Sequence, residues 1–423
     1  MVMAMGAMRG DGPRRTLRGR RMLDSYSAMA RRAGLILALA LVGYAAITHA
    51  VGMSLAGADP DLSLAISPDN ARALGERSQR IFTTARDRLS RTQATELGRR
   101  ALALDATVIP AIVTLALNAG VEGSSDRAAR LMTYAQALSR RDGTTQLYFI
   151  EDAVARGDVV EALRHYDTVL RTSDTAPALL FPILRNAIAE APLRHALAAT
   201  LRKRPAWAEH FVLESSAYGP DFHAVALLFA EVRGAGFEPP SNADNALISN
   251  LLAKNDLQTA WRYYKIMHPD ADPSTVRDGE FKGSRTTGTP FDWVLSTDDG
   301  ISTSMGVDGQ NGGLEFSTTP TNAGVIARQM LVLSPGTYRL STVATGIAQD
   351  RGSGPYWELV CLDGKIAGSL EIGPARESKA MFAQTIVVPL NCPGQWLQLR
   401  ARASDNIKGA TGQILAVSVE RRQ

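Results

Sequence analysis

Three regimes of apolar patterning follow one another along the chain. From Ala33 to Leu55 (AGLILALALVGYAAITHAVGMSL) no Asp, Glu, Lys or Arg interrupts 23 positions. About 20 apolar residues cross a bilayer as a helix, so this run predicts one transmembrane span. From about Ser67 to His268, Ala and Leu recur at helical spacing while Gly and Pro fall mainly between segments. That predicts a long succession of α-helices. Asp59–Asp69, with its Asp-Pro and Ser-Pro pairs, reads as a linker. From about residue 276 the alternation shifts to every second residue, as in TYRLSTVA and WLQLRAR, between turns rich in Gly, Asp, Asn and Pro. Strands are expected over Gly313–Ser317, Val325–Leu333, Gly336–Thr345, Tyr356–Leu362, Lys379–Val388, Trp396–Ala403 and Gln413–Glu420. Short strands about ten residues apart predict an antiparallel sandwich. The expected division is a tail over 1–32, a span over 33–55, helices over 59–275 and a β-sandwich over 276–423.

The helical region repeats itself. GDVVEALRHYDTVLR, from Gly157, returns 98 residues later as NDLQTAWRYYKIMHP, from Asn255. Asp158 matches Asp256, Ala162 matches Ala260, Arg164 matches Arg262 and Tyr166 matches Tyr264. A displacement of 32 in the other direction pairs Asp126 with Asp158, Leu131 with Leu163, Tyr134 with Tyr166 and Leu138 with Leu170. The longer displacement is about three units of roughly 33, close to the tetratricopeptide period. Physically, Gly-Asp or Asn-Asp turns the chain between two helices, the small Ala lets them approach, and the Tyr fills the groove to the next pair. The segment resembles tetratricopeptide-like helical repeats over about residues 70–270. The resemblance implies stacked helix pairs that dock a protein partner. The Trp–Leu–Gly–Tyr signature of the first helix is absent, and Pro177, Pro182, Pro192, Pro205 and Pro220 interrupt the pattern between 172 and 245.

Local features of the last 145 or so residues are an early Phe281 in DGEF, Pro290-Phe291-Asp292-Trp293, Gly312-Gly313-Leu314-Glu315-Phe316 and RQMLVLSPGTYRLS from Arg328 to Ser341. Together they resemble galactose-binding-like, carbohydrate-binding-module-like jelly rolls. The resemblance implies a sandwich that binds glycan or, as in other members of such folds, no sugar at all. Sugar binding needs an aromatic face beside amide or carboxylate groups. The candidates are Trp293, Tyr356, Trp357 and Trp396, with Asp292, Glu358, Asn391 and Gln395 as polar neighbours. For Trp357 and Trp396, on apolar strands, a place in the core is the competing expectation.

Charge alters one inference. The sequence pI is about 9.1, which invites a nucleic-acid partner. Residues 1–32, however, hold eight Arg against Asp11 and Asp24, and the rest of the chain has 38 basic against 40 acidic residues. The body carries no broad basic footprint, so nucleic acid is excluded as the expected partner. An Arg-rich flank stays cytoplasmic, which places residues after about Asp59 outside, in a bacterium the periplasm, on a single-pass inner-membrane protein. The alternative is a cleaved signal peptide, with Ala56-Gly57-Ala58 as the cut site. In an oxidising compartment Cys361 and Cys392, the only cysteines, are expected to pair. No H-E-x-x-H, G-x-S-x-G, Walker A or G-x-G-x-x-G motif occurs, and the six His are scattered. No catalytic residue, metal or cofactor is expected. The expectation is a non-enzymatic scaffold in envelope or exopolysaccharide assembly. The alternatives are a purely structural interaction module and a glycan-active enzyme with an unrecognised site.

Overall fold

A computed structural model describes residues 16–283, 288–306, 312–403 and 409–422, with side chains at Met29 and from Gly34 onward. Residues 1–15, part of the Arg-rich tail, lie outside the described residues. The chain forms two compact units that divide between Asp152 and Ala153. Among the described residues there are fourteen helices followed by ten strands.

In the first unit, α1 (Thr16–Leu55) is followed by α2 (Pro60–Ile66), α3 (Ala71–Thr84), α4 (Arg88–Leu104), α5 (Ile109–Val121) and α6 (Ser125–Leu138). The helix α7 (Gly143–Ala155) spans the division. At 40 residues, α1 is about 60 Å long. Its stretch Gly34–Leu55 has a mean hydropathy of 2.0 and is long and apolar enough to cross a membrane. The Thr48 hydroxyl donates to Tyr44 O (3.0 Å) and the Ser54 hydroxyl to Ala50 O (2.9 Å). Hydroxyls turned onto the helix in this way leave no unmet hydrogen bond on its apolar surface. The stretch read as a linker is instead helical over α2, because Asp59 accepts from Leu62 N (3.0 Å) as an N-cap and Pro60 occupies the first turn. This helix packs against the end of α1: the buried Ser63 hydroxyl donates to Gly52 O (2.7 Å), and Asn70 Nδ2 donates to Ser63 Oγ (3.2 Å). Leu74, Ala101, Val108 and Ala111 form a core shared by α3, α4 and the start of α5. Ile112, Val113, Ala116, Met132 and Ala135 join α5 to α6. Neighbouring helix pairs thus bury what neither could bury alone.

The second unit contributes α8 (Val159–Thr172), α9 (Ala176–Ala187), α10 (Ala191–Leu201), α11 (Ala208–Tyr218), α12 (Phe222–Arg233), α13 (Ser241–Ala253) and α14 (Leu257–Met267). They form two layers: α8, α10, α12 and α14 lie side by side in succession, and α9, α11 and α13 form the other. Of the five prolines that obscured the pattern, two start helices and two, Pro205 and Pro220, lie in the turns between them. Pro177 and Pro192 sit at the first positions of α9 and α10, where a missing N–H costs nothing, and only Pro182 lies inside a helix. Half-buried ion pairs tie successive helices within each layer: Arg185 to Glu214 (2.7 Å) and Arg194 to Glu231 (3.0 Å).

Gly157 (φ 73°) and Asn255 (φ 60°) occupy the left-handed region at the turns into α8 and α14. Asp158 and Asp256 follow as N-caps, accepting from Glu161 N (3.0 Å) and Thr259 N (3.1 Å). Ala162 and Ala260 are buried, as are Tyr166 and Tyr264. One turn into α8, the Arg164 guanidinium holds the Glu161 carboxyl down to about 2, with His165 adding to the effect. A carboxyl depressed in the folded state stabilises above its unfolded pKa, and the contribution is lost as pH falls through the folded value. Wild type is therefore expected to lose its advantage over Glu161→Gln between about pH 4.5 and pH 2. Urea midpoints measured across that range check this. The pair is surface-exposed, so the advantage is under about 1 kcal/mol.

The strands are β1 (Val294–Leu295), β2 (Ile301–Met305), β3 (Leu314–Thr318), β4 (Gly324–Leu331), β5 (Gly336–Thr345), β6 (Tyr356–Cys361), β7 (Ile366–Glu371), β8 (Ala380–Val388), β9 (Gln395–Ala401) and β10 (Ala410–Arg421). They form two five-stranded antiparallel sheets, β1-β4-β9-β6-β7 and β2-β3-β10-β5-β8, which face each other across one core in a jelly roll. All seven strands expected from alternation are present. β1, β2 and β7 are additional: β1 has two residues, and β2 and β7 put Ser, Thr and Gly where alternation would need apolar side chains.

Candidate functional site

The register of β6 against β9 decides which aromatics can meet a ligand. Trp357 pairs with Leu399 and Leu359 with Leu397, and all four point into the core. The alternate residues Tyr356, Glu358 and Val360 share the outer face with Trp396, Gln398 and Arg400. Trp357 is wholly buried, so it is corrected from a sugar-facing candidate to a core residue, the competing expectation at that position. Trp293 is corrected likewise. It is 5% exposed, packs on Phe281 (centroids 4.9 Å) and Trp357 (5.8 Å), and donates its Nε1–H to Asp278 O (3.0 Å). An indole that has found a backbone partner can be buried at low cost.

Tyr356 and Trp396 remain half-exposed on the outer face, on adjacent strands and four residues apart in register, about 13 Å along the strand. Each ring carries an arginine. The Arg402 guanidinium lies 3.9 Å from the Tyr356 centroid, and Arg328 lies 4.6 Å from Trp396. Arg402 is also bidentate to Glu371 (2.6 and 2.8 Å), which raises its pKa, and Arg400 reaches the buried Glu358 at 3.4 Å. Arg328 is exposed on the same face. The row therefore alternates aromatic rings with guanidinium groups, suited to the apolar face and the hydroxyl or acidic groups of a sugar chain. Gln395 is not part of it. It is buried, with its Oε1 accepting from Leu333 N (2.9 Å) and its amide donating to Cys392 O (2.5 Å).

Asp292 has another task. It is 1% exposed and accepts from Tyr264 Oη (2.6 Å) and Thr289 Oγ1 (2.6 Å). Tyr264, the repeat tyrosine of the last helix pair, thus bonds to the sandwich. Beside it Arg277, also buried, lies over the rings of Trp261 (5.4 Å), Tyr264 (5.5 Å) and Phe291 (5.8 Å). Its Nε donates to Phe291 O and its Nη2 to Met330 O, both at 2.5 Å. Its backbone N–H and C=O are both met by the Gln329 side chain at 2.9 Å. Here α14 is clamped to the outer side of β4.

Beside this clamp a cleft of about 750 Å³ separates the start of α14 from the loops of the sandwich. Trp261 lines it from the helix, and Leu362, Asp363, Asn391 and Pro393 line the far wall. That wall is stapled by the Cys361–Cys392 disulfide, both of whose residues are buried. Sequence reasoning did not single out Trp261. The available signal was its place in the repeat, where the copy 98 residues earlier has the buried Leu163. In the last helix pair the Trp packs on Phe291 of the sandwich segment, at 5.2 Å between centroids, where an earlier copy would meet another repeat. Among the described residues no group of three or more His, Cys, Asp or Glu is placed to hold a metal.

Fold and site define a class: helix hairpins in two layers whose last member carries a jelly-roll sandwich. No protein-family model and no curated protein matches the sequence. Solved structures resemble parts of it. The enzymatically active domain of tailspike protein 4 of bacteriophage CBA120 is 13% identical over 36% of this chain, with a TM-score of 0.27, and the chain spans 22% of that protein's length. The carbohydrate-binding module CBM4 is 14% identical over 35% of this chain and 99% of its own, with a TM-score of 0.26. Pseudomonas aeruginosa PilF is 18% identical over 48% of this chain and 95% of its own, with a TM-score of 0.25. Likenesses this slight assign neither ligand nor partner.

Proposed function

We propose that the protein is a non-enzymatic scaffold held in a bacterial inner membrane by α1, whose helical layers dock a protein partner and whose sandwich binds glycan in envelope or exopolysaccharide assembly. The observation that carries the glycan reading is the outer row of Tyr356 and Trp396 interleaved with Arg328, Arg400 and Arg402. Two features support the rest. The end of α1 is knitted to α2 by the buried Ser63–Gly52 bond, which favours an anchor that stays attached over a segment cut away after Ala58. On α9, Leu179 (61% exposed) and Ile183 (49%) stand one turn apart, apolar and uncovered, as a docking helix requires.

The full-length protein in a non-glycosidic detergent is to be passed over immobilised acidic and neutral polysaccharides. Retention is expected on at least one. Trp396→Ala and Tyr356→Ala are each expected to weaken it about tenfold, since stacking contributes on the order of 1 kcal/mol or more. Arg328→Ala separates the ligand classes: weaker retention marks an acidic chain, and stronger retention a neutral one that gains the uncapped ring. No retention on any polymer, with the helical layers still capturing a partner, leaves the purely structural reading in its place.

A further inference from the structure

The cleft between α14 and the disulfide loop has a chemistry of its own, separate from the row on the outer sheet face. We infer that it is a second binding site, for the neutral end of a saccharide of one or two rings. Its volume falls within the range of small-molecule sites, about 300–1,000 Å³, and is too small for a folded domain. Its one aromatic wall is Trp261. That ring is held from the protein side by contacts to Tyr264 (5.5 Å), Phe291 (5.2 Å) and the Arg277 guanidinium (5.4 Å), so it is fixed before any ligand arrives. A pre-set indole presents a flat apolar face to the C–H side of a pyranose at little entropic cost.

Around it stand groups that bond hydroxyls in both directions. Asn255 and Gln258 lie on the helix side and Asn391 on the loop side, each offering an amide donor and an acceptor. Asp256 and Asp363 add carboxylates. Neither is a bare charge. Asp256 caps α14 and faces His223 at 3.5 Å, and Asp363 is paired with Lys365 at 2.7 Å. Arg262 also lines the cleft, so the cations Arg262 and Lys365 match the two carboxylates, and this local balance favours a neutral ligand over an acidic one, the opposite of the arginine-rich row on the sheet. Leu257, Val332, Leu362 and Pro393 close the remaining walls with apolar surface. Neither compact layer builds this site alone. One wall is the first turn of the last repeat, and the other is the loop that the disulfide ties down.

The test uses the full-length protein in a detergent without a sugar headgroup, because a maltoside would itself compete. Cellobiose, lactose, maltose and N,N′-diacetylchitobiose are titrated by saturation-transfer NMR. At least one is expected to bind saturably. In a Trp396→Ala/Tyr356→Ala background, which silences the sheet face, Trp261→Phe and Asn391→Ala are each expected to weaken it fivefold or more. Asn391 is an exposed loop residue, so its variant keeps the wild-type thermal midpoint and serves as the test even if Trp261→Phe loosens the clamp. Failure of all four probes to bind the wild type overturns the inference. So does binding that survives both cleft substitutions. Because Trp396 reports the sheet face and Asn391 the cleft, either site can fail without the other.

Discussion

Arg277→Ala is expected to destabilise the unit Ala153–Gln423 by more than about 3 kcal/mol. The loss has identifiable parts. Phe291 O and Met330 O each lose a charged donor at 2.5 Å, and both carbonyls lie where the residues around them are buried. The rings of Trp261, Tyr264 and Phe291 lose the guanidinium they surround, leaving a cavity between α14 and β4. Arg277→Lys is expected to recover little, since an ammonium is a point donor and cannot span two carbonyls with a planar fork. Chemical denaturation followed by tryptophan fluorescence measures the difference. A variant within 1 kcal/mol of wild type would mean that the clamp is ornamental and that other contacts seat the sandwich.

The second large effect is expected at Cys361–Cys392. The cysteines are 31 residues apart in sequence, and closing a loop of that length stabilises by about 3–4 kcal/mol through the unfolded chain. The double variant Cys361→Ser/Cys392→Ser, or reduction of the wild type, is expected to lower the thermal midpoint by roughly 6–15 °C. The local consequence is more specific. Leu362 and Asp363 follow one cysteine, and Asn391 and Pro393 flank the other, so the bond holds the far wall of the cleft in position. Midpoints recorded with and without reductant decide the matter. An unchanged midpoint in the double variant would show that packing of Leu257 and Leu362 alone suffices.

Much of the architecture was legible because its periods are strong. The uncharged run of α1, the 98-residue return of Asp158, Ala162 and Tyr166, and the alternation of β5 and β9 each declare an element without help from the rest of the chain. What was not legible depended on partners distant in sequence. Asp292 and Trp293 stand beside a turn in a Pro-Phe-Asp-Trp segment that looks exposed. Nothing local says that Tyr264, 28 residues earlier, will take the carboxylate, or that Asp278 O will take the indole. Trp396 and Trp357 are both strand tryptophans, and only the register separates them: Val360 opposite Trp396 sends one outward, and Leu399 opposite Trp357 sends the other inward. The prolines between 172 and 245 misled for another reason. A proline at the first turn of a helix and one within it look alike until the helix start is known. Trp261 was hidden by its company, since a repeat motif suggests that every aromatic in it packs against another repeat.

One contact in the cleft region has a geometry set by a missing atom. The disulfide loop meets α14 at Gly394, where a methyl carbon would stand 2.8 Å from Leu257 Cδ2 and 3.0 Å from Leu362 Cδ1. Two leucines, one from the helical layers and one from the sandwich, press into the same bare backbone. The spacing between two architectures that share no period, one built on 3.6 residues and the other on 2, is thus gauged at a single residue by the one side chain that takes no space.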